Sequence, residues 1–309
     1  MLQGALISNG FLRTGKFVEH YIWLKEAAER QGMALSLFDN TKLCRRMETG
    51  NRNQDWDWLD VMDFVIYWDK DIPGGRFLEE MCREKGIPVY NSMDAIACCD
   101  HKFFTYEKIW QWNRSQREGE RISLIPTVMA PMTYENIGYP SLDFVEEIIA
   151  GLGLPIIIKE CYGSFGMQVY RADTREEACR LTERLAGRPF LYQKSLAHTK
   201  GRDVRMQVVG NRVAASMYRY AEHGDFRANL TSGGSMKPYH PTERECRIGV
   251  QVCKILGLDF AGVDLLFDEE EQATILCEVN SNAHFKNIYT CTGVNVADCI
   301  MRMIKERLE

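Results

Sequence analysis

The sequence predicts an α/β chain that continues into α+β units, on three observations. Over residues 1–97, short apolar runs alternate with amphipathic stretches, the pattern of a small open domain on a parallel sheet. Further on, two β-rich runs flank Gly210-Asn211, a strong hairpin signal. Near the C-terminus a second hairpin runs from Asp259 to Asn282 around the polar break Asp268–Ala273.

Leu2 to Ser8 reads as a buried first strand, broken by Asn9-Gly10. Phe17 to Arg30 follows as a helix, with Phe17, Val18, Tyr21, Ile22 and Ala28 inward and Gly32 as its stop. Ala34–Phe38, Asp63–Trp68 and Ile87–Tyr90 are strand runs, and Phe77–Lys85 is a helix ended by Gly86. Asn113 to Arg121 is polar and without period, so it reads as an exposed loop. In the middle unit Ser141 opens a helix, Leu154–Lys159 and Pro189–Gln193 are strands, and Thr174-Arg-Glu-Glu177 is a capping box. A second capping box, Thr242-Glu-Arg-Glu245, opens a helix that buries Ile248, Val252, Ile255 and Leu256 and stops at Gly257. Asp298 to Leu308 closes the chain as an amphipathic helix. The expected boundaries are 1–97, 98–192 and 193–309.

With 309 residues, 45% of them hydrophobic and 26% charged, the chain has an ordinary globular composition. Its net charge of -5 argues against a general nucleic-acid binder. No apolar run approaches the roughly 18–20 residues a membrane span needs. No basic segment precedes a long apolar one at the N-terminus, so no export signal is expected. The eleven cysteines form no C-x-x-C pair, which suits a reduced, cytoplasmic protein.

The chemistry concentrates in the acidic hairpin. Side chains alternate faces along a strand, so Glu278 and Asn280 share one face. A hairpin centred near Glu271 sets Asp264 opposite Glu278, their Cβ atoms about 4.5–5.5 Å apart. Bare, two such carboxylates repel and one takes up a proton. A hard divalent cation removes the conflict, and oxygen-only ligands suit Mg²⁺ or Mn²⁺. The alternative is a solvated acidic face. Upstream, Lys159 ends a strand beside a loop containing Gly163, Ser164 and Gly166, whose bare backbone suits an anion. A plain turn is the alternative, and the pattern is not a Walker A loop. Asp203 and Arg205 share a face of one hairpin strand, and Arg219 lies at the far end of its partner. The glycine-rich run Gly224–Gly234 carries Arg227 and Asn229, and arginines there suit a developing oxyanion or a phosphoryl group.

The order of these pieces resembles the ATP-grasp superfamily, and within it the RimK-like amino-acid (glutamate) ligases. The matching segments are Asp100-His-Lys102-Phe, Lys159 with its glycine loop, Gln193-Lys194-Ser195-Leu196, Gly201-Arg-Asp203-Val-Arg205, Phe226-Arg-Ala-Asn229-Leu, Gly262-Val-Asp264 and Glu278-Val-Asn280. The resemblance implies a three-domain fold: a small parallel α/β precursor domain, a small α+β domain and a larger one with an antiparallel sheet. It implies that Lys102 and Lys159 hold ATP phosphates and that the Gly163–Gly166 loop covers them. Gln193, Lys194, Ser195 and Leu196 would form the adenine hinge, although the family usually carries an acid where Lys194 stands. Asp203 would contact the ribose, with Arg205 alongside in the nucleotide set. Arg227 and Asn229 would face the γ-phosphate and the substrate carboxylate, with Arg219 beside them. Asp264, Glu278 and Asn280 would hold two Mg²⁺ (or Mn²⁺) ions.

The implied activity is ATP-dependent carboxylate–amine ligation through an acyl phosphate, with a glutamate-like amino acid as one substrate. An ATP-grasp kinase and a non-catalytic ATP-binding module are the rivals. After Glu-Val-Asn the chain leaves the family pattern with Ser281-Asn-Ala-His284-Phe-Lys286, where His284 and Lys286 are candidate substrate contacts. A peptide, protein or small-molecule partner and a homo-oligomeric state both stay open.

Overall fold

The computed structural model describes residues 1–44, 54–163, 166–199, 201–221 and 234–309, the side chains of 54 and 55 excepted. The chain opens with β1 (Gln3–Ser8), α1 (Gly15–Arg30), β2 (Ala34–Asp39), β3 (Phe64–Trp68), α2 (Ile72–Glu84) and β4 (Val89–Tyr90). These strands form a parallel sheet in the order β2-β1-β3-β4. Every residue of β3 is buried, as expected for a strand covered on both faces. The inward face of α1 is turned from the one predicted. It buries His20, Tyr21, Leu24, Ala27 and Ala28, whereas Ile22 is about half exposed. A stripe through 17, 20, 21, 24, 27 and 28 keeps helical spacing, so a histidine enters the core and an isoleucine leaves it. Likewise α2 starts five residues earlier than predicted, because Asp71 accepts from Gly74 N and Pro73 sits in the first turn.

Next come α3 (Met93–Asp100), α4 (Lys102–Asn113), β5 (Ser123–Leu124) and β6 (Thr127–Met129). A middle unit follows with α5 (Asp143–Leu152), β7 (Ile156–Glu160), β8 (Val169–Ala172), α6 (Arg175–Arg184) and β9 (Phe190–Lys194). Its antiparallel sheet has the order β6-β9-β7-β8. The Thr174 box closes on one side only. Thr174 accepts from Glu177 N, but the Glu177 carboxylate reaches back to Asp173 N. Ser141 lies before the cap position of α5, and its hydroxyl accepts from Asp143 N.

The third sheet takes β10 (Arg202–Val209), β11 (Arg212–Tyr220), β12 (Ser235–Pro238), β13 (Phe260–Phe267) and β14 (Ala273–Asn280), in the order β12-β11-β10-β13-β14-β5. The Gly210-Asn211 turn is a two-residue hairpin, with Val209 paired to Arg212. Between the sheet's hairpins runs α7 (Glu243–Leu256), whose capping box is complete: Thr242 accepts from Glu245 N, and Glu245 accepts from Thr242 N. The chain ends with α8 (Lys286–Thr292) and α9 (Val296–Leu308).

One apolar core joins the first sheet to the third. Leu24, Phe64 and Trp68 pack with Phe260, Phe285, Ile300 and Ile304. Asn91 pins the same junction. Its Oδ1 accepts from the amides of Asp259 and Phe260, and its Nδ2 donates to the carbonyls of Phe260 and Ser281. The middle unit has a core of its own, around Val145, Ile156, Ile158, Phe190 and Tyr192.

Candidate active site

The register of the third sheet sets one row of charge across three strands: Arg205 faces Asp264, and Asp264 faces Glu278. One step along, Gln207 faces Gly262, and Gly262 faces Asn280. Gly262 is a close-approach glycine, since a Cβ there would stand 2.5 Å from Ala283 Cβ. The loop after β14 therefore folds directly over this row.

Asp264 is 3% exposed and sits between two arginines. Arg205 grips both of its oxygens. Arg219 lies 2.9 Å from Asp264 Oδ2 and donates two further bonds to Asp203, at 2.6 and 2.8 Å. Burial opposes the Asp264 carboxylate, but Arg205 and Arg219 outweigh it and hold the carboxyl below its ordinary value. The conflict between Asp264 and Glu278 is thus relieved from the side by arginine. Glu278 keeps a third of its side chain exposed, with Lys102 Nζ 3.8 Å away. Among the described residues no group of three His, Cys, Asp or Glu side chains could hold a metal ion. Asn280, expected as the third oxygen ligand, stands one step along β14 from Glu278.

A cleft runs between the middle sheet and the third sheet. Its cationic end is built by Lys102, from the first turn of α4, and Lys159 on β7. Burial depresses the Lys102 ammonium, and nearby Glu278 partly restores it. Lys102 Nζ donates to Gly163 O at 3.0 Å, tying α4 to the glycine loop. Gly163 needs its freedom: its φ is +146°, and a Cβ would meet Gln168 Oε1 at 2.5 Å. The other end is bordered by Gln193 and Lys194, the last residues of β9, and by Ser195 and Leu196, which leave it as irregular backbone. Apolar side chains complete the walls: Ile125, Ile157, Val169, Leu266 and Cys277. These were not singled out as site residues from sequence; Ile157, Leu266 and Cys277 sit on expected strands, whereas Ile125 and Val169 belong to a segment and a strand that were not expected.

A second cleft lies between the C-terminal ends of β1 and β3 and the loop after β14. Gly166, Arg219 and Glu278 line both clefts. Arg205, Asn280 and His284 line only the second. Lys286 lines neither, and pairs with Glu19 of α1 at 2.6 Å. The His284 ring packs 4.4 Å from His20 and 5.1 Å from Phe17. Burial, with Lys16 and Arg205 nearby, lowers the His284 pKa to about 4. Asn9 and Asp69 also line this cleft, and sequence reading passed over both. Their one signal was position, each directly following a buried parallel strand. Lys102, Lys159, Gly163, Gly166, Asp203, Arg219, Asp264 and Glu278 converge on the first cleft. Ser164, Arg227, Asn229 and the rest of 224–233 lie outside the described residues.

A family model described as a RimK-like ATP-grasp domain matches residues 134–304, just over half the chain. An uncharacterized protein of Mycoplasma pneumoniae is 30% identical over 279 residues, 89% of this chain and 89% of its own. A probable α-L-glutamate ligase of Enterobacter is 36% identical over 168 residues, 53% of this chain. The match spans only 55% of that ligase. The ATP-grasp ligase PsnB, solved with a phosphomimetic variant of its minimal precursor, Mg and ADP, has a TM-score of 0.71 at 14% identity. That superposition covers 99% of this chain and 98% of the other, and it speaks for the fold. The strand order, the charge row and the two joined clefts thus sit in an ATP-grasp fold, and the chain belongs to the RimK-like ATP-grasp family.

Proposed function

We propose that this protein is an ATP-dependent carboxylate–amine ligase that uses Mg²⁺ and takes a glutamate-like amino acid as one substrate. One observation carries the reading: the cleft with the two lysines and the glycine loop opens, at Arg219 and Glu278, into a second cleft with polar walls. A nucleotide in the first places its terminal phosphate at the mouth of the second.

Lys102 and Lys159 supply point charges for phosphate oxygens, and the backbone at Gly163 and Gly166 comes close enough to donate. Residues 193–196 offer backbone groups to the adenine edge, and Ile157 and Leu266 offer apolar faces. The donor set fits a hard divalent ion. Glu278 and Asn280 would hold it, and Asp264 would join by exchanging an arginine contact. Such an ion, when bound, neutralises charge on the phosphoryl oxygens.

A substrate carboxylate oxygen attacks the γ-phosphorus, the bond from γ-phosphorus to the bridging oxygen breaks, and ADP leaves. An amine then attacks the acyl carbon, the acyl–phosphate bond breaks, and the amine proton passes to the departing phosphate or to solvent. Charge spreads over phosphoryl oxygens in the first step, so Arg219, at the join, acts electrostatically. Arg227 and Asn229 belong to the same proposed set.

The test is incubation with ATP, Mg²⁺ and candidate acids in the presence of hydroxylamine. The ligase gives a hydroxamate together with ADP. A stable phosphorylated product without hydroxamate would replace the ligase with a kinase.

A further inference from the structure

In the first sheet the order β2-β1-β3-β4 places a topological switch between β1 and β3, where the connections leave in opposite directions. A crevice forms outside the carboxyl ends of two such strands, and it is a general ligand position in open α/β sheets. Asn9 directly follows β1 and Asp69 directly follows β3. Both line the second cleft.

Asn9 Nδ2 donates to both Asp69 carboxylate oxygens, at 3.2 and 3.3 Å. Asn9 Oδ1 accepts from Phe11 N at 3.0 Å, which fixes the orientation of the amide. Asp69 is only 7% exposed, yet it makes no ion pair with Lys, Arg or His among the described residues. The basic groups close in sequence or space are taken: Lys70 by Asp100 at 2.5 Å, and Arg205 by Asp264. A buried carboxylate without a cation is costly, and neutral donors, here the Asn9 amide and the backbone N–H groups of Lys70 and Asp71, do not replace a counter-charge. Asn282 adds a second acceptor. Its Nδ2 donates to Asp69 O at 3.1 Å, while its buried Oδ1 has no hydrogen-bond partner among the described residues. Across the same cleft stand Lys16 and two arginines, Arg205 and Arg219, which share the acids Asp264 and Asp203. One wall therefore offers acceptors and the other is basic, the complement of a zwitterion.

We infer that Asp69, aligned by Asn9, binds the ammonium group of an amino-acid substrate whose carboxylate faces the basic wall of the second cleft. The identity of the ligand as a substrate rests on the ligase reading; the ammonium site is tested by binding alone. The full-length protein, with Mg²⁺ and a non-hydrolysable ATP analogue present, is titrated by calorimetry with each of the twenty amino acids. The des-amino analogue of the best binder is titrated next.

Removing the amine from the ligand is expected to weaken binding at least about tenfold, as for any site whose buried acceptor loses its donor. Asp69→Asn, nearly isosteric, is expected to show the same loss with the intact amino acid and no further loss with the des-amino analogue. Asn9→Ala gives a smaller loss, about threefold to tenfold on the same grounds. Affinity for the ATP analogue stays unchanged in both variants. The inference is overturned if Asp69→Asn keeps the preference for the amine, or if no amino acid binds the wild type. In the latter case ADP release with peptide or other acceptors still decides the ligase reading, so the two failures are distinguishable.

Discussion

The two clefts share a wall but are built by different means. The first is floored by paired strands, and its acids are fixed by register: Asp264 and Glu278 stand opposite each other on β13 and β14. The second is roofed by residues beyond the strand ends, namely Asn9, Asp69 and the segment Asn282–His284, together with α1. Strand-borne groups are held to one geometry, which suits a reaction common to a family. Loop-borne groups vary without disturbing the sheet, which suits the choice of substrate.

Removing strand-borne charge tests the first half of this contrast and should have the largest effect. Asp264→Ala leaves Arg205 and Arg219 facing each other, with Asp203 as their one remaining ion-pair partner among the described residues. It is expected to abolish ADP release and to cost about 3–5 kcal/mol of stability in urea melts, the usual penalty for breaking a buried pair. Glu278→Gln separates chemistry from stability. Its carboxylate is one-third exposed and, among the described residues, has a single distant ion contact. ADP release should fall at least about a hundredfold, while the urea midpoint stays put. A shifted midpoint would mean that Glu278 is structural.

The junction gives a purely structural comparison. Asn91→Ala leaves two carbonyls and two amides without their partner, and is expected to cost about 2–4 kcal/mol. The measurement is a urea melt, and a change under about 1 kcal/mol would remove Asn91 as a pin.

The smallest effect is in pH. Burial, helped by the neighbouring charges of His284 and Lys286, lowers His20 to about 3, and His284 falls to about 4. The folded state keeps both rings neutral, whereas the unfolded chain protonates them below about pH 6.5. Their contribution is therefore fully present above pH 6.5. It declines as pH falls toward 4, by at most about 1.4 kcal/mol per pH unit for each ring. Stability at pH 7.5 and pH 5, compared in wild type and His20→Phe, checks this; an equal decline in both would sink it.

Most of the strand-borne site was legible in the sequence. The expected pairing of Asp264 with Glu278 is the one observed, although two register shifts, at Leu266/Phe267 and Asp264/Leu265, lie between it and the turn. The Gly210-Asn211 turn and the Thr242 box were local signals that act without tertiary help. What Asp264 would do with its charge was not legible. Its arginine partners lie 59 and 45 residues away in the chain, and the sheet order that unites them is a tertiary fact. The buried face of α1 was misjudged because His20 counted as polar. Packed against Trp68 and Phe285, it behaves as an aromatic. Asn9 and Asp69 escaped because a polar residue after a strand looks like any loop residue until the strands are known to be neighbours.

Finally, the distribution of cores assigns mechanical roles. The first and third sheets share buried residues from Leu6 to Ile304 and are fastened at Asn91, so they make one frame. The middle sheet closes its core on itself, from Ala130 to Tyr192. It meets the frame through contacts such as Lys102 Nζ to Gly163 O and Lys102 N to Cys161 O. The second cleft lies within the frame apart from Gly166, and the first lies between frame and jaw. A movement of the jaw would widen the first cleft and leave every wall of the second but Gly166 in place.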